Sequence, residues 1–291
     1  MAPSLIEDSW TGEDVSIAAI ERELARLRAE TEGSQPNLRT SVMTHLAWVP
    51  PDWLDKAEST LMGMAERHPS RTLIMVPRPD LEDGLDARVS IRCFPIGDRA
   101  ICGEVIDLTL RGGHAAAPAS LALPLLISDL PVFLRWRGQP EWQSAPFEQL
   151  VGVTDRLIVD STEWPDVPGA YGTLASLFDD VAVSDIAWTR TERWRSLLAS
   201  LWPGIEDVKA IRVRGTRAQA CLIGGWLTSR LGHRVSVEVD EQPRIEGIDV
   251  DGKPAPFPPG DPPNPSDVLS AELDRYGRDP IYEAAVLAAA S

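Results

Sequence analysis

Cysteine is scarce, with three in 291 residues and no metal-ligand spacing among them. That argues against a disulfide scaffold and a structural zinc site, and it suits a reducing cytoplasm. The four histidines, His45, His68, His114 and His233, are scattered. None has a ligand or nucleophile partner at helical spacing, so no metal site and no nucleophilic triad is expected. No G-x-G-x-x-G, G-x-S-x-G or H-E-x-x-H occurs. Long apolar runs are missing too. The most apolar stretch, 121–134, is short of the ~20 residues of a membrane span and contains Asp129 and two prolines. The first residues, "MAPSLIEDSW", are acidic and lack the apolar centre of a secretory leader. Positive charge is in deficit: 28 Lys+Arg against 44 Asp+Glu, a formal charge of −16. A body this acidic repels phosphate backbones, so nucleic acid is not an expected partner.

One apparent phosphate loop fails on inspection. "GIDVDGK", 247–253, fits the frame G-x-x-x-x-G-K, but the next residue is Pro254 where a magnesium-holding Ser or Thr is needed. The segment reads as a strand end and turn.

The remaining pattern is that of an α/β protein. Ile17, Ile20, Leu24 and Leu27 recur at 3-4-3 spacing and predict an N-terminal amphipathic helix, broken at "GSQPN". Strand-like runs such as "RTLIMV", "PVFLRW", "RLIVD" and "VKAIRVRG" alternate with helical ones. The latter include a helix over 52–68 capped by Asp52, one over 114–127, and "TRAQACLIGGWLTSRLG". Alternation of this kind predicts a sheet covered by helices, and a hairpin at 88–108 makes that sheet mixed. The expected organisation is an N-terminal helical arm (1–35), a first α/β lobe (36–150) and a second (151–250). A Pro-rich linker (251–265, seven prolines) then leads to a C-terminal helical tail (266–291) of two short helices split at Asp279-Pro280.

Four places carry chemistry. At the strand ends, Asp160, Ser161, Asp185 and the Arg135/Arg137 pair are the candidates for a sheet enzyme, none with a recognisable base or metal. "ERHPSR" reads as a helix stop, with His68, Ser70 and Arg71 as its polar residues. "WTRTERWRSLLASLW" reads as a helix opened by a Thr189/Glu192 capping box, with Trp194 on the buried stripe and Arg190, Arg193 and Arg195 left outside; Trp226 is expected to be core as well. Finally, Cys93 and Cys102 flank "FPIGDRAI". A two-residue turn at Gly97-Asp98 would place them directly opposite each other, with Cα atoms ~4.5 Å apart. The residues favour two buried thiols in that position, with the pair kept as a candidate redox site.

"AERHPSRTLIM", "LPLLISDLPVFLRWRG", "TDRLIVDSTEW", "VSDIAWTRTERWRSLLA", "CLIGGWLTSRLG" and "AELDRYGRDPIYEAAV", in this order, resemble the glucose-6-phosphate dehydrogenase assembly protein family, OpcA, from about residue 40 onward except over the linker. One departure is Arg135, where that family usually carries a second Trp or an apolar residue. The resemblance implies a non-enzymatic protein without cofactor or metal, which binds glucose-6-phosphate dehydrogenase and raises its activity at the entry to the oxidative pentose phosphate pathway. On this reading Arg135, Trp136, Arg137, Arg190, Arg193 and Arg195 are the expected partner contacts. The alternative is a sugar-phosphate enzyme or metabolite sensor using Arg135, Arg137, Arg190 and Ser161.

Overall fold

The structure is a computed structural model that describes residues 6–34, 37–38, 41–62, 67–96 and 99–291. It divides into two compact units, Met1–Leu157 and Ile158–Ser291. Both are α/β, as the alternation predicts.

The first unit runs β1 (Ile6–Gly12), α1 (Ile17–Ser34), β2 (Asn37–Leu38), β3 (Thr44–Trp48), α2 (Leu54–Met62), β4 (Arg71–Arg78), β5 (Gly84–Ile96), β6 (Arg99–Arg111), α3 (Pro118–Ala122), β7 (Val132–Trp136) and α4 (Ala145–Val151). Its sheet is ordered β1-β5-β6-β4-β3-β7. The pairs β6/β4, β4/β3 and β3/β7 are parallel, while β1/β5 and β5/β6 are antiparallel. Successive side chains alternate between the faces. One face is apolar: Val89, Ile91, Ile106, Leu108, Leu73, Met75, Leu46 and Leu134 are all buried. Ile20, Leu24 and Leu27, the stripe of α1, are buried as well. Arg28 of α1 reaches across to Glu104 of β6, which also accepts from Arg71 of β4, at 2.6 and 2.8 Å. Burial works against that carboxylate, but the two guanidiniums hold it below its usual range.

Local expectations fail here where proline or distant packing decides. The span 114–127 is broken into a 3-10 turn (Gly112–Ala116), the short α3 and a second turn (Leu123–Leu125). Pro118 and Pro124 each lack the N–H that a continuous helix needs. Asp52 lies inside a 3-10 turn, Pro51–Trp53, instead of capping α2. The later part of that helix, 63–66, and the Gly97-Asp98 turn lie outside the described residues.

The division falls within β8 (Arg156–Val159). The second unit continues with α5 (Gly169–Ala175), β9 (Ala182–Asp185), α6 (Ile186–Arg190), α7 (Glu192–Ser200), β10 (Ala210–Gly215), α8 (Arg217–Leu231), β11 (Ser236–Glu241), β12 (Gly247–Val250), β13 (Lys253–Pro254), α9 (Pro265–Leu273) and α10 (Pro280–Ala289). A four-stranded sheet is ordered β11-β10-β12-β13. The false phosphate loop is the hairpin β12–β13, turned by Asp251 and Gly252 at φ +46° and +78°. Two positive φ values in succession are the geometry a two-residue hairpin favours.

The core of this sheet comprises Leu198, Ile211, Val213, Ile223, Leu227 and Ile248, with Trp194 among them at 5% exposure. Trp226, expected to be core as well, is half-buried and packs on the outside of that cluster. Truncating Trp194 to Ala removes a side chain held between this core and the Phe257 ring, whose centroid is 5.2 Å away. The expected cost is about 3 kcal/mol, read as a lower denaturant midpoint at unchanged slope.

Candidate functional site

The "RWRG" segment ends β7 deep in the first unit. In a strand buried on both faces, Arg135 and Trp136 must point in opposite directions. They do so at 4% and 5% exposure. Arg135 donates to the carbonyl of Trp136. Trp136 stacks on Trp48, its register partner on β3, with ring centroids 5.0 Å apart. Phe147 of α4 closes edge-on against Trp136 at 5.1 Å, and Trp142 meets Phe147 at 5.5 Å. Arg137, one residue beyond the strand, is 7% exposed and lies 5.2 Å from the Trp53 ring centroid, with Lys56 5.9 Å from the same ring. The expectation that these arginines emerge at the sheet edge as exposed charge is therefore corrected: both are buried, Arg135 against a backbone carbonyl and Arg137 over the Trp53 ring. Half-buried Trp53 and Trp142, which sequence reasoning did not single out, form the accessible part of the cluster. Their signal was only aromatic residues near strand ends.

In the second unit the three arginines of "TRTERWR" are each engaged. Arg190 donates to Asp160 at 2.8 Å. Arg193 clamps the Pro-rich segment through the carbonyls of Pro258 and Pro259, at 2.9 and 2.6 Å, and that of Gly260. Arg195 lies 3.4 Å from the Trp188 ring centroid; burial draws its pKa down to about 10. The expected Thr189/Glu192 capping box does not form. Asp185 caps α6 by accepting from Ala187, while Thr189 sits within α6 and bonds Glu272 of α9.

Ser161 and Asp185, flagged as candidate reactive groups, do meet. Ser161 donates to Asp185 through Oγ at 2.6 Å and through its backbone N–H at 3.0 Å. The Tyr171 hydroxyl is 3.0 Å from Ser161 Oγ. All three residues are fully buried. Burial, with Asp160 nearby, raises the Asp185 carboxyl to about 7. The one histidine of this unit, His233, bonds the Val208 carbonyl. This is the geometry of a closed structural network that ties β9 to the segments around it.

Cys93 and Cys102 face each other in the register the turn spacing predicts, with Cα atoms 4.1 Å apart. They are joined as a disulfide, where the residues alone favoured two thiols. Cys221 is the remaining free thiol. Among the described residues there is no His/Cys/Asp/Glu group able to hold a metal, and no helix is long and apolar enough to cross a membrane.

The family model for the glucose-6-phosphate dehydrogenase subunit N-terminal domain matches residues 63–176, and the corresponding C-terminal domain model matches 181–256. Curated relatives carrying the name OxPP cycle protein OpcA include that of Nostoc punctiforme, 30% identical over 182 residues, and that of Synechococcus elongatus, 28% identical over 185. Each alignment covers 58% of this chain but only 39% and 41% of the relative. The chain thus spans about two fifths of the length of the relatives it matches. With two successive domain models of one family on about two thirds of its residues, this chain belongs to the OpcA glucose-6-phosphate dehydrogenase assembly family.

Proposed function

We propose that the chain is a non-enzymatic, cytoplasmic assembly factor that binds glucose-6-phosphate dehydrogenase, promotes its active oligomer and acts as its allosteric activator. Family membership supplies the partner. The observation that carries the site is the tryptophan cluster of the first unit, where Trp53 and Trp142 reach solvent beside Arg137 and Lys56. Tryptophan and arginine fixed by packing are the side chains that dominate interface energetics, because little entropy remains to be lost on docking. Trp136 and Trp48 hold the platform from beneath. Arg190, Arg193 and Arg195 serve the second unit's own fold and contribute to the partner face indirectly.

The residues named for a sugar-phosphate site are divided: Arg135 and Arg137 lie in the first unit, Arg190 and Ser161 in the second. The Cys93–Cys102 bond supports a redox-responsive version of the activator, since it closes the hairpin β5–β6 in the sheet that carries the platform.

The test mixes the purified chain with the dehydrogenase of the same cell and follows oligomer size by light scattering together with kcat/KM, in reductant and in oxidant. The parent is expected to raise both. Trp53→Ala, folded by circular dichroism, should weaken the interaction by about 30-fold, the loss of one hot-spot side chain. A parent without effect on the dehydrogenase overturns the activator reading. A Trp53→Ala variant that activates like the parent moves the partner face elsewhere. Equal activation in reductant and oxidant removes the redox element.

A further inference from the structure

The four-stranded sheet of the second unit ends in an open edge. β11 is the last strand of the order β11-β10-β12-β13, and its parallel pairing with β10 uses one side of its backbone. Ser236 N–H donates to the Lys209 carbonyl at 2.8 Å, and Gln242 N–H to that of Gly215 at 3.1 Å. Backbone groups alternate in direction along a parallel ladder, so the even-numbered residues face β10. Val237, Val239 and Glu241 therefore hold their N–H and C=O groups outward, and among the described residues no strand pairs with them. Such an edge is a template for one more strand.

A cavity opens beside this edge, where a side chain of the added strand would go. It measures about 340 Å³ and lies between α8, α10 and the start of β11, lined by Cys221, Gly225, Thr228, Val235, Val237 and Ala288 among others. Val237 turns its side chain toward α8, where a Cβ on Gly224 would meet it. Arg234 carries the one charged side chain of the lining, so the walls suit an uncharged guest.

We infer that β11 docks an extended segment of another protein, bearing lysine or arginine at alternate positions. The segment adds a strand to this sheet, places one uncharged side chain in the cavity and sets its cations against Glu238 and Asp240. Charge selects this occupant. β11 reads "SVEVDE", three carboxylates and no cation. Glu238 and Asp240 are exposed, on the face turned away from α8. Glu238 is shared with Arg212 of β10 at 2.7 Å, and among the described residues no ion pair holds Asp240. Opposite charges on facing residues stabilise a strand pair and like charges oppose it. A second copy of this chain would bring the same carboxylates to the edge, so it is the wrong occupant. The alternation divides the work: main-chain bonds to Val237 and Val239 supply affinity, while the cavity and the carboxylates supply selectivity. Arg234 stands at the N-terminal end of β11, so the partner's cations belong further along the strand. This edge is part of the second unit, whereas the tryptophan platform is part of the first; neither requires the other.

The test uses the full chain and a fluorescein-labelled peptide about seven residues long that alternates lysine with valine and leucine. One control carries glutamate for lysine. The other is methylated on alternate backbone nitrogens, which keeps the charge and abolishes the ladder. Anisotropy should show binding of the unmodified lysine peptide alone. At ten times its Kd, that peptide should slow alkylation of Cys221, the free thiol in the cavity, about tenfold, in proportion to the unbound chain that remains. Val239→Pro removes an outward N–H and keeps the bonds to β10, because proline is tolerated where its nitrogen faces away from the ladder; it should abolish binding. If that variant does not fold, Asp240→Lys, on the exposed face, reads the same question and should weaken the lysine peptide about tenfold. No binding of the lysine peptide overturns the inference, as does equal binding by the parent and a folded variant. A methylated peptide that binds as tightly means attraction to an acidic chain and nothing more, and overturns it too. So does a parent found dimeric by light scattering and made monomeric by Val239→Pro, which gives the edge to a second copy.

Discussion

Deleting residues 265–291 will leave the second unit unable to fold. These residues follow a proline-rich segment and look, in sequence, like an appendage. In the structure they are core. Leu269 and Leu273 of α9 are 3% and 0% exposed, and Tyr282, Ala285 and Val286 of α10 are all 0% exposed. Asp279 caps α10 by accepting from Ile281 and Tyr282, and its other oxygen accepts from Trp188 Nε1 at 3.0 Å. Glu272 accepts from Thr189. The Tyr282 ring packs between those of Phe178 and Trp188, at 6.0 and 5.8 Å. Losing four large apolar side chains at ~1.5–3 kcal/mol each removes more than about 6 kcal/mol. A domain stable by ~5–15 kcal/mol in total will not tolerate that together with the orphaned polar partners. Far-UV circular dichroism and limited proteolysis check the outcome, with cleavage beginning after about residue 158. A truncated chain with a protease-resistant second unit would show that α9 and α10 only decorate it.

A gentler variant reads the same contact. α8 carries Gly224 and Gly225 side by side, facing different neighbours. A Cβ on Gly225 would sit 2.1 Å from the Ala285 carbonyl oxygen of α10, and one on Gly224 would sit 2.1 Å from a methyl of Val237 on β11. Helix and strand approach from both sides because neither glycine carries a side chain. Gly225→Ala must push α10 outward, so its loss of stability should exceed what the small change in helix propensity, itself favourable to Ala, would suggest.

What was legible in the sequence was whatever short-range periodicity decides. The stripe of α1, the α8 helix, the hairpin register at 93/102 and the split at Asp279-Pro280 could all be read from neighbours in the chain. What stayed hidden depends on contacts far apart in sequence. Arg137 read as a surface cation because its partner, Trp53, lies 84 residues away. Thr189 and Glu192 fit a capping pattern, but Asp185 captured the helix start and Glu272, from α9, captured the threonine. "TSVMTHLAWV" alternates only loosely and contains the strand β3. Both faces are buried, since His45, Thr72 and Arg135 form an interior polar layer that no alternation rule separates from a surface.

Asp185 will make the stability of the second unit depend on pH in the direction opposite to that of an ordinary ion-paired carboxylate. It accepts from Ser161 N, Ser161 Oγ and Ala187 N at 3.0, 2.6 and 2.8 Å, and these bonds favour the charged form. Burial and the nearby Asp160 carboxylate, itself bonded to Arg190, oppose them and win, raising the carboxyl from 3.8 to about 7. Between these two values the folded chain holds a proton that the unfolded chain has released. The contribution of this carboxyl is therefore complete below about pH 4 and is lost as pH rises through about 7. The shift corresponds to about 4 kcal/mol. Asp185→Asn is the informative variant. Its amide oxygen accepts from both backbone N–H groups, and its NH2 donates to Ser161 Oγ, which then turns its own proton toward Tyr171. Without a titrating group, its stability should be flat over this window. Measured by urea unfolding from pH 4 to pH 8, the parent should lose up to about 4 kcal/mol relative to Asp185→Asn. The comparison with the variant cancels Glu104, whose depressed pKa acts in the opposite sense at the acid end. Asp185→Ala should be destabilised throughout, because the two backbone donors and the serine are left buried without an acceptor. Parallel pH profiles for parent and Asp185→Asn would mean that the carboxylate is charged in the folded chain at neutral pH, held there by its three donors.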